Sequence, residues 1–539
     1  MAKTITNHGS YDYIIVGAGS SGCLLANRLT QNPDVTVLLL EAGSKDDYVW
    51  IHVPVGYLYC IDNPRTDWQF KTTENVNLNG RQLLYPRGKT LGGSSSINGM
   101  IYMRGQAADF DLWSSLTNDS AWSWDQVLPR YKSFEDYHGG ANDWHGAGGE
   151  WSVSKQRLKW DILESFKEAT IQAGIPETSD FNRGDNFGVG YFDVNQKNGW
   201  RLNTAKAFLK KASLRSNLTI ITGAHVDRLV FDVNKKCIGV NFYGNNTAHC
   251  AQVNSEALLS AGSIGSVQIL ERSGIGQKKH LQDLGIPVVH DSPGVGENLQ
   301  DHLQLRMIYK VSNISTLNTK VNSLFGKAKI GLEYLLRRTG PMSMAPSQLG
   351  AFAKTAFQTR ANVQYHVQPL SLERFGENLH PFNAFTASVC NLQPSSVGSV
   401  HISSADFMAS PLINPNYLST ITDRKVAVES IELTRKIISQ PALSQFCPME
   451  YKPGAHLLSE DDLVIAAGDI GTTIFHPVGT CKMGLESDPL AVVDSELRVF
   501  GVRGLRIVDA SVMPKITSGN TAAPTMMIAQ RVADILKSR

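Results

Sequence analysis

Four stretches of this 539-residue chain gather residue types capable of chemistry. Gly17-Ala18-Gly19-Ser20-Ser21-Gly22 is a GxGxxG directly after an apolar run at 11–16. In such a motif the first glycine permits a tight turn. The second lets backbone approach a pyrophosphate, and the third lets a helix pack on the strand. The helix N-terminus beyond it offers unpaired N–H groups and partial positive charge to phosphate. Gly17, Gly19, Ser20, Ser21 and Gly22 are the candidates there. A second apolar run, 36–40, ends at Glu41, followed by Ala42. About 20 residues after the glycines, a carboxylate would hold ribose hydroxyls and repel a 2′-phosphate, so NADP is disfavoured. The motif does not by itself separate NAD from FAD. Arg87-Gly88-Lys89-Thr90-Leu91-Gly92-Gly93-Ser94-Ser95-Ser96-Ile97-Asn98-Gly99-Met100 is a loop dense in glycine and serine. Paired glycines let a flat ring system lie on backbone, and successive N–H groups can donate to phosphate or ring heteroatoms. One conspicuous histidine, His476, stands in Ile474-Phe475-His476-Pro477-Val478-Gly479. An imidazole titrating near neutrality can take a hydroxyl proton, although a lone histidine is more often structural. Asn520, in Ser518-Gly519-Asn520-Thr521-Ala522, is the other polar candidate. Asn is a preferred helix N-cap, and 522–536 has helical periodicity through Ile528, Val532 and Leu536, so residue type alone leaves cap and site residue as equal readings.

The elements that must position these residues are partly legible. Runs 11–16 and 36–40 read as buried strands and 23–29 as the short helix between them, a βαβ unit. Alternating strand and helix patterns recur over 211–310 and 485–539. The stretch 311–470 differs, with Gly340-Pro341, Gln393-Pro394-Ser395-Ser396 and Asn414-Pro415-Asn416 between apolar runs. It reads as a sheet-rich second domain. Residues 138–149 contain five glycines and read as loop. All nine tryptophans lie between Trp50 and Trp200, which reads as core and interdomain packing. A lid at 54–70 and ordinary packing are equal readings of its aromatic, loop-like content.

Taken together these motifs resemble the glucose–methanol–choline (GMC) oxidoreductases. Residues 88–111 resemble the family's first signature. Gly262-Ser263-Ile264-Gly265-Ser266-Val267-Gln268-Ile269-Leu270-Glu271-Arg272-Ser273-Gly274-Ile275-Gly276 resembles the second, with Val267 where Pro or Ser is usual. Gly294-Val295-Gly296-Glu297-Asn298-Leu299-Gln300-Asp301-His302 and Asn414-Pro415-Asn416-Tyr417-Leu418 extend the likeness, which runs from 11 to 533. It is nearest the bacterial choline-dehydrogenase-like and FAD alcohol dehydrogenase branch. The resemblance implies an α/β protein: a doubly wound, Rossmann-like FAD-binding domain and a second α+β substrate domain built on an antiparallel sheet. The first is expected from 9–150, 211–310 and 471–539, the second from 151–210 and 311–470.

The resemblance also assigns roles. FAD would be held by the GxGxxG residues, Glu41 and Ala42. Arg87, Gly88, Leu91, Gly92, Gly93, Ser94, Asn98, Gly99, Met100 and Ile101 would join them, with Ala261, Gly262 and Thr521. The Val226 backbone would meet the adenine, and Asp509-Ala510 the ribityl chain. His476 matches the active-site histidine, which would take the alcohol proton while a hydride passes to flavin N5. Asn520 matches the second catalytic position, His or Asn, and would orient the substrate oxygen. Its following helix would aim its positive end at the flavin N1–C2=O edge. Some members bind FAD covalently through a histidine where Ile97 stands, so noncovalent FAD is expected. Choline-type enzymes hold a quaternary ammonium with a carboxylate whose place Gln348 takes. A neutral amide cannot compensate a buried cation, which argues against choline. Gln348, Phe352, His366 and Phe475 are the candidate substrate contacts, with Met342, Met344 and Gln368 beside them. The expected reaction is oxidation of a primary alcohol, aliphatic or aromatic, to an aldehyde, with reoxidation by a quinone-like acceptor. Competing readings are an oxidase using O2, a family-related hydroxynitrile lyase, an NAD-dependent dehydrogenase, and a flavoprotein in which His476 is structural.

Composition sets the outer limits. Hydrophobic residues at 42% and charged residues at 19% exclude a disordered chain. Lys+Arg 51 against Asp+Glu 49 gives +2, with no run of like charge, so no basic face for nucleic acid is expected. Mean hydropathy is −0.17, and no segment reaches the roughly 20 apolar residues that span a bilayer. The N-terminal stretch lacks the apolar core of a secretory signal. Seven scattered cysteines without CxxC or CxH spacing predict neither disulfides nor a metal site. A cytoplasmic protein is expected. Peripheral contact with a membrane stays open, because hydropathy would not reveal a surface patch.

Overall fold

A computed structural model describes residues 5–245, 247–321, 324–356, 358–373 and 377–538. Residues 1–4 of the N-terminal stretch lie outside them. The chain opens with β1 (Thr6–Val16), α1 (Ser20–Leu29) and β2 (Val37–Glu41). Strand β3 (Gly188–Tyr191) belongs to a second sheet. The first sheet resumes with β4 (Leu218–Thr222), β5 (His225–Phe231), β6 (Cys237–Gly244) and β7 (Thr247–Leu259), then helix α2 (Gly262–Arg272). The chain crosses over again through β8 (Leu303–Lys310), α3 (Leu324–Arg337), β9 (Leu349–Ala353), β10 (Val363–Gln368) and β11 (Ala384–Asn391). It continues through α4 (Ile421–Ile438), β12 (Met449–Lys452) and β13 (Gly471–Thr473). Finally β14 (Leu505–Ile507) and α5 (Ala522–Lys537) return to the first sheet.

The first sheet runs β4-β2-β1-β7-β6-β5, with β14 also on β7. Its β4, β2, β1, β7 and β14 pair in parallel, and β5–β7 form an antiparallel meander. The expected βαβ unit is present, with Tyr13 opposite Val37. Strand β2, Val-Leu-Leu-Leu-Glu, is buried throughout, as a parallel strand covered on both faces must be. Gly22 carries the helix–strand contact: a Cβ there would lie 1.9 Å from the Gly17 carbonyl oxygen. Helix α5 packs on α1, so the C-terminus closes what the N-terminus begins.

The second sheet is antiparallel, in the order β12-β8-β11-β10-β9-β3, with β13 on β8. Period-two alternation sorts its faces. Val363, Tyr365 and Val367 of β10 join Met307, Leu349, Ala351 and Phe385 in one core. Helix α4 covers that side through Val428 and Ile431. Its N-terminus is capped by Thr420, whose hydroxyl accepts from the Asp423 N–H at 3.2 Å. Gln364, His366 and Gln368 therefore point the other way, toward the first domain. This is a doubly wound α/β domain joined to an α+β domain on an antiparallel sheet. No described helix is long and apolar enough to cross a membrane.

Candidate active site

A cavity of about 290 Å³ separates the two sheets. At one end it is walled by the β1–α1 turn. Gly17 has φ +99, and a Cβ would lie 2.5 Å from the Ser260 carbonyl oxygen. A Cβ on Gly93 would lie 2.7 Å from the Gly19 Cα. The two glycine segments thus press backbone against backbone and leave a slot beside them. Glu41 lies on its floor, its carboxylate accepting from Ala18 N at 2.9 Å and Gly43 N at 2.8 Å. Burial pushes this carboxyl up to about 7, against those two N–H groups. Asp509 accepts from Gly262 N at 2.9 Å and the Ser266 hydroxyl at 2.6 Å, fastening the start of α2 to the slot. The Ser260 hydroxyl is buried without a partner and lines the cavity. The N-termini of α1, at Ser20 and Ser21, and of α5, at Thr521 and Ala522, open onto the same space. Glycine walls, two helix N-termini, a carboxylate and an orphaned hydroxyl fit a dinucleotide.

The other end is polar and dominated by His476. Its backbone N–H donates to Asp301 Oδ1 at 2.8 Å. The Asp301 carboxylate also accepts from the Tyr85, Tyr417 and Thr473 hydroxyls at 2.9, 2.5 and 2.6 Å. Arg87 Nη2 donates to the Phe475 carbonyl at 2.6 Å. Together they hold Phe475 at φ 70, a strained conformation for an aromatic residue.

The ring is held just as firmly. His302 Nε2 lies 3.1 Å from the Leu392 carbonyl, an acceptor only, so that nitrogen carries the proton. Burial drives His302 down to about 4, so its ring is neutral and Nδ1 is a lone pair. His476 Nδ1 lies 3.1 Å from it and must donate. His476 Nε2 is then the lone pair, 3.0 Å from the Asn520 amide nitrogen. Gln364 Nε2 donates to Asn520 Oδ1 at 3.4 Å, which orients that amide. Burial, with His302, His366 and Arg87 nearby, holds His476 well below its usual pKa. The arrangement is a neutral, singly protonated imidazole presenting a base to the cavity.

Of the residues singled out from sequence, most converge on this cavity. Gly17, Gly19, Ser20, Ser21, Glu41, Ala42, Arg87, Gly88, Gly93, Ser94, Asn98, Gly99, Met100 and Ile101 line it. So do Val226, Ala261, Gly262, His366, Phe475, His476, Asp509, Ala510, Asn520 and Thr521. Five do not. Gly22 is spent on helix packing. Leu91 packs on the first core, and Gly92, at φ +87, serves the loop turn, its carbonyl accepting from the Ser95 hydroxyl at 2.6 Å. Phe352 is buried among Phe181 and Phe192. Gln348 is fully buried but is not on the cavity wall. Of the residues grouped with them, Gln368 lines the cavity, whereas Met342 and Met344 do not. Asn520 is not the helix cap: Thr521 holds that position, leaving the Asn520 side chain for His476.

Residue type alone gives Asp301 and His302 no task, and the same holds for Gln304, which lines the cavity from β8. The run Gln300-Asp301-His302 was the available signal. Tyr57, Ile61, Trp68 and Phe70 of the 54–70 segment also line the cavity.

The GMC oxidoreductase family profile matches residues 11–304 with its N-terminal part and 394–529 with its C-terminal part. The chain belongs to the GMC oxidoreductases. It is an enzyme of that family, and its cofactor is FAD. This GMC oxidoreductase is 40% identical over 530 residues to an "oxygen-dependent choline dehydrogenase" of Vibrio vulnificus (strain YJ016), covering 98% of this chain and 94% of that one. It is 38% identical over 538 residues to an "alcohol dehydrogenase [acceptor]" of Pseudomonas putida, covering 98% and 95%. Among solved structures it resembles pyridoxine 4-oxidase from Mesorbium loti at TM-score 0.89 and 30% identity, covering 98% and 99%. Formate oxidase gives TM-score 0.89 at 25% identity, covering 99% of each chain.

Away from the cavity, Glu271, His280 and His401 bring possible metal-ligand atoms within 4.8 Å of one another. His401 is flanked by Glu271 at 2.7 Å and Glu297 at 3.1 Å. These carboxylates raise it to about 9, so it stands as a cation between two anions and offers no lone pair.

Proposed function

We propose that this GMC oxidoreductase oxidises a neutral primary alcohol, aliphatic or aromatic, to the aldehyde. The observation that carries the reading is the His302–His476–Asn520 chain, which leaves a lone pair on His476 Nε2 beside an amide donor. FAD, when bound, supplies the hydride acceptor. His476 Nε2 takes the hydroxyl proton as the carbinol hydrogen departs, which makes loss of hydride easier. Asn520 Nδ2 donates to the same oxygen and steadies its developing charge. His302 keeps the proton off Nε2 beforehand, and Asp301 holds the His476 backbone still. Gly17, Gly19 and the N-terminus of α1 would hold the pyrophosphate, Glu41 the ribose, and Gly93 with Ser94 the ring system. Ile97 offers no nucleophile, which supports noncovalent attachment.

A neutral substrate is supported by the cavity's charges. Among the described residues that line it, the carboxylates are Glu41 and Asp509, both at the dinucleotide end. At the other end stand Gln304, His366 and Gln368. No carboxylate stands there to compensate a quaternary ammonium, which would have to rest on aromatic faces such as Phe475 alone. Gln304, rather than the buried Gln348, is the neutral amide that meets the cavity from the second sheet, with Gln368 beside it.

A quinone-like carrier is the proposed electron acceptor, supported by the relative named "alcohol dehydrogenase [acceptor]". Oxygen is the second reading, favoured by the relatives named oxygen-dependent and by the oxidases among the similar folds. The test is anaerobic bleaching of the flavin absorbance with neutral primary alcohols and with choline, followed by admission of air. Bleaching by a neutral alcohol and slow recolouring fit the proposal. Bleaching by choline alone would reject the substrate class, and immediate recolouring would reject the acceptor. Flavin that never bleaches, with aldehyde released from a cyanohydrin, would establish a lyase.

A further inference from the structure

Helix α3 departs from an ordinary surface helix, which turns its apolar stripe to the core. Phe325, Leu332, Leu335 and Leu336 are 81, 57, 64 and 71% exposed. Phe325, Leu332 and Leu336 fall at i, i+7 and i+11, a single line along the helix, and Leu335 stands beside them. The helix is held to the protein by its other side. Tyr334 is 3% exposed and its hydroxyl donates to the Gly199 carbonyl at 2.9 Å. The Arg338 guanidinium stacks over the Tyr334 and Trp200 rings at 5.1 and 4.4 Å. The leucine line is thus fixed facing outward.

The stripe is bordered by cations. On α3 itself Lys327, Lys329 and Arg337 oppose Glu333 alone, which is 3 − 1 = +2 on one helix, while Lys320 and Arg338, beyond its ends, lie over the Trp160 and Trp200 rings. Lys327, Lys329 and Arg337 are exposed. Glu333 already accepts from the Thr339 hydroxyl at 3.1 Å. A second copy of the chain is a poor occupant, because a two-fold contact would set this basic border against itself. An anionic lipid surface supplies both the apolar layer and the opposite charge.

We propose that α3 is a docking helix, which seats the enzyme on an anionic phospholipid bilayer with Phe325, Leu332, Leu335 and Leu336 in the interfacial layer. It lies on the surface rather than spanning it. Its location gives the contact a purpose. Helix α3 packs on the turn at Pro341–Ser343, which packs on Pro54–Gly56, next to the cavity-lining Tyr57. The bilayer would therefore meet the protein beside the segment that covers the cavity, within reach of carriers and alcohols dissolved in lipid.

The test sediments the flavin-loaded enzyme with vesicles of phosphatidylcholine containing about one-third phosphatidylglycerol, and with pure phosphatidylcholine, at low and high salt. The enzyme pellets with the anionic vesicles and is released by salt. Phe325→Glu with Leu336→Glu abolishes pelleting. Lys327→Glu with Lys329→Glu lowers partitioning by roughly fivefold or more per residue changed. Both variants keep wild-type flavin content and melting temperature, which separates a lost surface from a lost fold without appeal to turnover. The proposal is overturned if wild type stays in the supernatant, if pure phosphatidylcholine serves equally, or if the Glu variants pellet as wild type does. It is also overturned if sedimentation velocity shows a dimer that Phe325→Glu with Leu336→Glu splits while vesicle binding is absent.

Discussion

His302 touches neither cavity nor substrate, yet the proposed base depends on it. Replacing it with Leu removes the acceptor that now lies 3.1 Å from His476 Nδ1. A buried donor left unpaired costs about 1–3 kcal/mol. His476 can escape that cost by moving its proton to Nε2 and donating to an amide oxygen of a turned Asn520. The relaxed tautomer is then the wrong one, and each turnover must climb back. At 1.36 kcal/mol per tenfold, that penalty lowers kcat by roughly 5- to 150-fold, with little change in KM because the binding walls are untouched. His302→Asn is the control. Its Oδ1 can stand near the former Nδ1 and accept the same proton, so it recovers most of the rate. The assay is steady-state alcohol oxidation with a soluble dye acceptor, with flavin content and melting temperature measured on each variant. A His302→Leu enzyme within twofold of wild type would refute the tautomer argument. So would a His302→Asn enzyme as slow as His302→Leu.

Other expectations follow from the same geometry. His476→Gln lowers kcat by roughly 10²–10⁴-fold, and Asn520→Ala by roughly 10²–10³-fold, each with flavin retained, read by the same assay. Gly17→Ala, whose Cβ meets the Ser260 carbonyl at 2.5 Å, yields protein that purifies without flavin absorbance. Ionised Glu41 accepts ribose hydroxyls more strongly than the neutral acid, and its carboxyl is pushed up to about 7. Apoprotein affinity for FAD, read by quenching of flavin fluorescence, therefore rises as pH climbs through that value. Stability falls on the acid side. His302 and His366 are 0 and 2% exposed and are lowered to about 4 and about 3. They stay neutral in the fold while the unfolded chain takes protons below about 6.5, so stability is lost as pH falls from there toward their folded values. At pH 5 the two together remove about 4 kcal/mol, at 1.36 kcal/mol per pH unit for each, measurable as a falling denaturant midpoint.

Much of the cofactor end was legible because its chemistry is local. A turn that needs Gly17, a helix entry and an acid at the end of β2 are neighbours in the chain, and Glu41 does lie under the glycine turn. The substrate end was legible only through family likeness, and there it slipped. Gln348 and His366 share a face of neighbouring strands, but spacing cannot show that one of them reaches the cavity wall and the other is buried off it. Asn520 read equally as a cap because Asn caps helices, and only the 3.0 Å approach of His476 decides its use. His302 was hidden for a different reason. Its task depends on a carbonyl 90 residues away, at Leu392. The outward stripe of α3 was invisible for a third: periodicity reports that a helix has an apolar side, not which way it faces.

The strand order of the first sheet has a bearing on biosynthesis. Its dinucleotide slot opens at Gly17 and Glu41 but is closed by Asp509 and Thr521, so β14 and α5 are the last pieces to arrive. Between residues 41 and 521 a ribosome must add 480 residues, which takes roughly 25–100 s. Through that interval α1 lacks α5, its packing partner, and the slot lacks two of its walls. Loading of FAD is therefore a late event that waits for synthesis of α5. A chain cut short before α5 would remain colourless after purification, whereas one that includes it would carry the flavin bands.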